Sequence, residues 1–280
     1  MSWKNLLKNL VVAALLAVSS PLAADSGHFN GIANAFGKPA QDHQVWFEQR
    51  FSYKICDEFQ FLFGGDERWG NDYHTLWYTN MYVGLQFNAT KHLICNPEES
   101  CVKNVSFAFV YSREDFIAKS NAYAIRAALP AGVTDLKWVT RNRPYIYSFI
   151  SFGFCDWILN TRQQFEYDCY ENSHYSNYIA WRPFFSLYTP WKWTCFKINP
   201  YVSNEAFVRG TTKLINGLYE NRLRVGVAVD FSALDYGCFT DSLRTELFWM
   251  WRILRQPNSS TSVRDYTDTW VWGATIFKDF

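Results

Sequence analysis

From about residue 44 to residue 280 the sequence alternates, one residue at a time, between oily and polar or small side chains. A period of two turns successive side chains to opposite faces of an extended strand. In "QVWFEQRFSYKI", Val45, Phe47, Phe51, Tyr53 and Ile55 share one face, with Gln49 the exception, while Glu48, Arg50, Ser52 and Lys54 share the other. In "NVSFAFVYSR", Val105, Phe107, Phe109 and Tyr111 alternate with Ser106, Ala108, Val110 and Ser112. In "NRLRVGVAVDF", Leu223, Val225, Val227, Val229 and Phe231 oppose Arg222, Arg224, Gly226, Ala228 and Asp230. "DSLRTELFWMWRIL" sets Leu243, Leu247, Trp249, Trp251 and Ile253 against Arg244, Glu246 and Arg252, and "NTRQQFEYDCY" gathers Arg162, Gln164, Glu166 and Asp168 on one face. The chain therefore reads as all-β, with one oily and one charged or small face on each strand.

Such segments number about twelve, within a range of 10–14: 44–55, 58–69, 73–88, 104–113, 119–129, 137–152, 156–170, 176–189, 195–209, 217–231, 240–254 and 267–280. An even count places both chain ends on one side, and it puts the long connections 89–103 and 255–266 together on the other, as bacterial barrels prefer. No repeat, low-complexity tract or linker divides residues 44–280, so they read as one domain.

An oily face on every strand has two homes. Two sheets can bury their oily faces against each other as a sandwich, or one closed sheet can turn them to lipid and its polar faces to a lumen. Strands of 12–15 residues exceed the roughly 5–6 common in sandwiches and the ~9–11 needed to cross lipid at a tilt. Tryptophans gather near strand ends, as amphipathic rings do at membrane interfaces. Trp46, Trp69, Trp77, Trp157, Trp191 and Trp193 mark one expected rim, and Trp138, Trp249, Trp251, Trp270 and Trp272 the other. In the last segment Trp270, Trp272, Ala274, Ile276 and Phe280 share a face, with Lys278 the exception. A closed barrel pairs its last strand with its first and leaves no open edge. A terminal Phe280 there resembles the signal read by the bacterial barrel-assembly machinery. The expected fold is a single antiparallel up-and-down transmembrane β-barrel over residues 44–280, with outer-membrane lipids as surroundings.

The expected address follows from the N-terminus. "MSWKNLLKNLVVAALLAVSSPLAA" carries Lys4 and Lys8, a short apolar run and small residues to Ala24, the layout of a secretory signal peptide over residues 1–24. Residues 25–43 read as a leader without a core of their own, and no later stretch approaches the roughly 18 apolar residues of a spanning helix. The 13 Trp, 17 Tyr and 24 Phe need a core or lipid, since water contact costs about 25 cal/mol per Å² of apolar surface. A net charge of +1 gives no reason to expect nucleic acid as a partner.

Several stretches in order, "ERW" (Glu67–Trp69), "NRPYIYSFI" (Asn142–Ile150), "NTRQQFEYDCY" (Asn160–Tyr170), "PWKWTCFKINPYVSNEAF" (Pro190–Phe207) and "YENRLRVGVAVDF" (Tyr219–Phe231), carry a likeness. Together they resemble the uncharacterised bacterial family called "domain of unknown function 2490", regarded as an outer-membrane barrel. The resemblance spans residues 44–280 and is most specific over Pro190–Phe231. It implies architecture and an outer-membrane location, for which the even strand count puts both termini on the periplasmic side, and it offers no catalytic residues to carry over.

The polar faces assign a lumen lined by Glu48, Arg50, Arg68, Arg162, Glu166, Asp168, Arg182, Glu205, Arg222, Arg224, Asp230, Arg244, Glu246 and Arg252, with Glu58 and Asp66 on the same faces. Balanced signs argue for cross-strand pairing and against strong ion selectivity. Two roles fit: a narrow passage for a small polar solute, or a braced wall closed by inward Trp46, Tyr78, Tyr82 and Tyr178. A lipid-modifying enzyme is the alternative, with Ser173 and His174 of "YENSHYS" as its candidates, but such a short loop lacks a positioned general base. No catalytic residue, metal site or cofactor is expected, because His28, His43, His74 and His92 are scattered and no CxxC occurs. Cys95 and Cys101 in "CNPEESC" are the candidate disulfide among seven cysteines. Asn88, Asn104 and Asn258 fit a glycosylation pattern relevant only to a eukaryotic secreted chain, where a soluble sandwich-type binding module is the further alternative.

Overall fold

In the computed structural model the described residues are 43–70, 75–94, 96, 99–117, 138–171, 177–210, 217–234, 241–256 and 265–280. They form eleven strands: β1 (His43–Lys54), β2 (Phe59–Gly70), β3 (Thr75–Asn88), β4 (Val102–Ile117), β5 (Trp138–Phe154), β6 (Trp157–Tyr170), β7 (Tyr178–Tyr188), β8 (Asn199–Gly210), β9 (Gly217–Asp230), β10 (Leu243–Gln256) and β11 (Asp265–Asp279). One helical turn, α1 (Thr90–Leu93), follows β3. Each strand pairs with its chain neighbours, and β1 closes the sheet on β11 as a barrel. The oily faces are not clasped between two layers. A closed sheet satisfies every strand edge with another strand.

The closing seam differs from the expectation. It is parallel, running from His43 opposite Trp270 to Ser52 opposite Asp279, and the ladder continues as Phe280 N–H donates to Ser52 O and Lys54 N–H to Phe280 O. An odd number of alternating strands must meet its first strand in parallel. The expected strand 119–129 lies outside the described residues, and β4 and β5, which it would have separated, pair directly from Val102 with Phe152 to Ile117 with Trp138. Removing one strand reverses every later one. Thus β1 begins at what we term the first rim and β11 ends at the opposite, second rim, so the two ends of the barrel do not share a side. For the same reason the β3–β4 connection lies at the second rim and the β10–β11 connection at the first, correcting the expectation that both face one way.

The alternation determines which side chains point where. Outward residues include Tyr53, Phe59, Phe61, Met81, Val83, Leu85, Phe107, Phe109, Ile146, Phe165, Ile179, Val225, Leu247 and Trp272, with Met81 76% and Phe109 59% exposed. Towards the first rim the outer face turns polar, with Arg113 near Asp115, Thr140 donating to Asp115 and Tyr111 donating to Asn142. Trp249 and Trp251 stack on Trp270 towards this rim, whereas Trp157, Trp191 and Trp193 cluster at the second. Those two groups lie at opposite ends, as expected. The backbones of Trp69, Trp77 and Trp138 join the first-rim group, while Trp46 points inward and is fully buried. At the second-rim turn, hydrogen bonds from Lys54 and Lys91 hold the exposed Asp57 carboxyl below the ordinary carboxylate range.

Two prolines interrupt the ladder where the sequence reads Arg-Pro. Proline has no N–H to donate. Pairing of β5 with β6 skips from Asn142 opposite Cys169 to Tyr145 opposite Glu166, around Pro144. Pairing of β7 with β8 skips from Trp181 opposite Val208 to Phe184 opposite Glu205, around Pro183. The residue before a proline is kept extended, so Arg143 and Arg182 both face the interior and both reach Glu166 on the strand between them.

One side of the interior is filled by an apolar wedge of Trp46, Tyr188, Tyr201, Ala228, Phe248, Met250 and Val271, from β1 and β7–β11. It forms because Gly273 leaves room: a Cβ there would strike the Phe248 ring. We expect Gly273→Leu to displace that ring and destabilise the barrel by about 1–3 kcal/mol, the usual cost of overpacking. Urea unfolding measures this, and an unchanged midpoint would remove the wedge from the account.

Candidate functional site

Beside the wedge runs a cavity of about 990 Å³. Its lining includes Asp230, Ser242 and Asp279 at the second rim and Tyr170, Tyr178, Arg209 and Tyr219 at the first. Met250, Phe248 and Val271 are not part of that lining, so the open space passes beside the wedge, although Glu48, Arg252 and Phe277 from the same strands do line it.

Between the rims the walls carry a chain of ion pairs. Arg141 binds Glu114 and, at 2.9 Å, Asp168, and its guanidinium also donates to the hydroxyls of Tyr170 and Tyr178. Arg143 binds Glu114 and Asp168, each at 2.6 Å. Arg182 bridges Glu166 and Glu205, both at 3.0 Å. Glu205 also takes Arg162 at 2.6 Å and Arg222 at 3.3 Å. Glu220 then holds Arg222 at 2.6 Å and Arg252 at 2.7 Å. Each carboxylate is almost wholly removed from solvent, Asp168 at 0% and Glu114 at 1% exposed. Burial at that level costs several kcal/mol per ion unless partners surround it.

Several bonds cross between strands that are not neighbours. Arg224 on β9 reaches Glu48 on β1, Tyr188 on β7 donates to Glu246 on β10 at 2.6 Å, and Tyr147 on β5 donates to Gln86 on β3 at 3.0 Å. These chords tie the cross-section across its width. Rings supplement them. The Arg68 guanidinium lies between Trp46 at 4.0 Å and Tyr78 at 3.8 Å while binding Asp66 at 2.7 Å. Arg222 sits over Trp46 and Phe207, and such contacts are each worth about 0.5–2 kcal/mol.

The residues expected in the lumen are placed as follows. Glu48, Arg50, Arg68, Arg162, Glu166, Asp168, Arg182, Glu205, Arg222, Arg224, Arg244, Glu246 and Arg252 turn inward. Asp230 instead sits at the second rim, half-buried, 3.4 Å from Lys197 and accepting from Ser232 N–H. Glu58 belongs to the turn before β2. Trp46, Tyr78 and Tyr178 are buried inside, and Tyr82 lines the cavity. Phe280 is exposed on the outer face, ring to ring with Phe51 and Phe63. Lys278 shares its outward parity yet is only 7% exposed, donating to the Asp241 carbonyl, which accounts for a charge on an oily face. Cys101 carries a free thiol, and Cys95, Ser173 and His174 lie outside the described residues.

Glu114, Arg141, Arg143, Arg209 and Glu220 also belong to the interior and were missed. The reading of β4 stopped at Arg113, one residue short of Glu114, and following parity two positions back from Arg222 reaches Glu220. With them, among the described residues, the cavity lining carries eleven arginines (50, 68, 141, 143, 162, 182, 209, 222, 224, 244 and 252) against eight carboxylates (48, 66, 114, 166, 205, 220, 230 and 279), with Asp168 and Glu246 buried in the same interior. Arg209 lies between the rings of Tyr178 and Tyr219, 4.1 and 3.5 Å away, with no carboxylate in reach among the described residues. The cavity lining is rich in arginine, while the interior as a whole stays close to balance. Among the same residues no group of three or more His, Cys, Asp or Glu side chains is arranged to hold a metal.

A scan against protein-family models and a search of curated proteins find no match. The likeness to the uncharacterised outer-membrane family therefore rests on the quoted motifs alone.

The pairing has a measurable consequence. Asp168→Ala leaves Arg141 and Arg143 short of a buried counter-charge, and should cost about 3–5 kcal/mol in urea unfolding. Removing the exposed Asp57 should cost less than about 1 kcal/mol. Equal effects would mean that the interior pairs contribute no more than a surface bridge.

Proposed function

We propose that the protein is an outer-membrane β-barrel holding a narrow, cation-lined passage for small polar solutes. The observation that carries this is the inverted distribution of side chains. Phenylalanine, methionine, leucine and isoleucine are exposed around the outside of a closed sheet whose enclosed interior holds the arginines and carboxylates. A water-soluble protein rarely exposes contiguous apolar surface beyond a few hundred Å². Hydrocarbon is the solvent in which that outside is stable, and polar strand edges are absent from it. Two tryptophan clusters at opposite ends fit the two interfaces of a bilayer. Bacterial barrels have even strand numbers, though a parallel-closed barrel with an odd number is known among mitochondrial channels.

For the passage, the support is size and lining. Barrels of about eight strands are filled by their own side chains, and those of about 16 leave a wide channel. Eleven strands with one wall covered by the wedge leave the 990 Å³ cavity, lined by residues from both rims. The wedge itself favours a second reading, a braced and closed wall.

The membrane placement is tested by fractionation. The protein should stay with membranes through alkaline carbonate washing, need detergent for extraction, and migrate differently on gels with and without boiling. Release into the soluble fraction would end this proposal. The passage is tested in planar bilayers. The refolded barrel should give small discrete current steps, and Trp46→Ala should enlarge them by shortening the wedge. Silence from both proteins would leave the bracing role.

A further inference from the structure

Two of the arginines that line the cavity stand apart from the rest. Arg50 on β1 and Arg162 on β6 stand on opposite walls of the eleven-strand ring, line the same cavity and act electrostatically on one another. Tyr82, Tyr145 and Tyr147 line the same space. We infer that Arg50 and Arg162 form an anion-binding station inside the barrel, taking a small solute through a carboxylate or phosphate group. The inference rests on the proposed passage for the solute's access.

Three observations lead there. First, Arg162 is under-compensated. Its one carboxylate among the described residues is Glu205, and the same Glu205 oxygen that accepts from Arg162 also accepts from Arg182, while the other accepts from Arg222. The Nε of Arg162 is buried with no hydrogen-bond partner among the described residues. A guanidinium offers five donors, and this one uses few. Second, Arg50 reaches into the open space. Its side chain is 40% exposed, held at 2.9 Å by Glu48, a carboxylate already bound to Arg224. Third, the two guanidiniums act on one another across a confined polar space, and Glu205, the carboxylate that acts on both, is already shared with Arg182 and Arg222. A bound anion completes the pattern. The planar fork of arginine matches the paired oxygens of carboxylate and phosphate, and tyrosine hydroxyls add neutral donors that do not repel the ligand.

The probe is inorganic phosphate, titrated calorimetrically against the full-length barrel in detergent at low ionic strength. Arg50→Gln and Arg162→Gln should each weaken binding about tenfold or more, the worth of one charge-assisted hydrogen bond or pair. Arg113→Gln, on the outer face beside Asp115, should leave it unchanged. Circular dichroism and heat-dependent migration report whether each variant is folded; if Arg162→Gln does not fold, the partly exposed Arg50 carries the test alone. Absence of phosphate binding to the native protein, or equal binding by all folded variants, overturns the station. Phosphate binding lost in the two variants, from a barrel that is silent in bilayers, upholds the station while removing the passage.

Discussion

An arginine enclosed by a sheet must find a counter-charge, and here that requirement organises the interior. Most inward cations meet a carboxylate two residues away on the same strand, as Arg68 does Asp66, on a flanking strand, as Arg182 does Glu205, or across the lumen, as Arg224 does Glu48. Glu205 serves three arginines and Glu220 two, so no pair is independent of the next. The result is a continuous chain from Glu114 on β4 to Arg252 on β10. Its stabilising effect depends on completeness, because a partly satisfied buried network is worse than an apolar one. Where completeness fails, at Arg162 and Arg209, the departure is therefore informative in a way that an unpaired surface charge is not.

The same chain explains why the wall tolerates its irregularities. A proline inside a sheet forfeits a ladder bond and is ordinarily confined to edges. A closed barrel has no edge to offer, and Pro144 and Pro183 open gaps in two seams. Across each gap the preceding arginine makes an ion pair, Arg143 on β5 with Asp168 on β6 and Arg182 on β7 with Glu205 on β8, while both also reach Glu166. Side-chain bonds thus span the two places where backbone bonds are missing, and β5, β6 and β7 remain joined through their charged face.

Strand type and facing were legible in the sequence because period two is a local signal: parity along "NRLRVGVAVDF" or "QVWFEQRFSYKI" places each side chain without any knowledge of neighbours. Closure was legible too, from oily faces that had no partner. The strand count was not, because one weak segment, 119–129, decided parity, and parity decides which rim each later connection occupies. The wedge was missed for a different reason. Phe248 and Met250 share parity with Arg244, Glu246 and Arg252, yet large apolar residues on a charged face look like noise until Gly273 on the next strand supplies the space for a ring. The lumen list fell short for two reasons: Glu114 lay one residue past the segment read as 104–113, and Arg141, Arg143 and Glu220, though inside 137–152 and 217–231, were not followed out along their parity to the strand ends.

Interior wedge and cationic wall divide the labour of a barrel of intermediate width. Too wide for its own side chains to fill and too narrow to leave a free aqueous bore, an eleven-strand cylinder needs something to occupy the remainder. On the β10–β11–β1 side the occupant is apolar: Trp46, Met250 and Val271 are fully buried there. On the facing side it is charge, and charge in a confined space retains water and small ions that apolar side chains exclude. The asymmetry follows from composition. At mid-height, Gly226 and Ala228 on β9 and Val271 and Gly273 on β11 permit close packing around Phe248 and Met250, whereas the inward positions of β5–β7 carry arginines and tyrosines that line the open space. A lumen of uniform arginine would repel itself apart, and one of uniform tryptophan would be solid. Setting the two against each other leaves a polar space beside the wedge, lined by residues of every strand, with Arg50 projecting into it from β1.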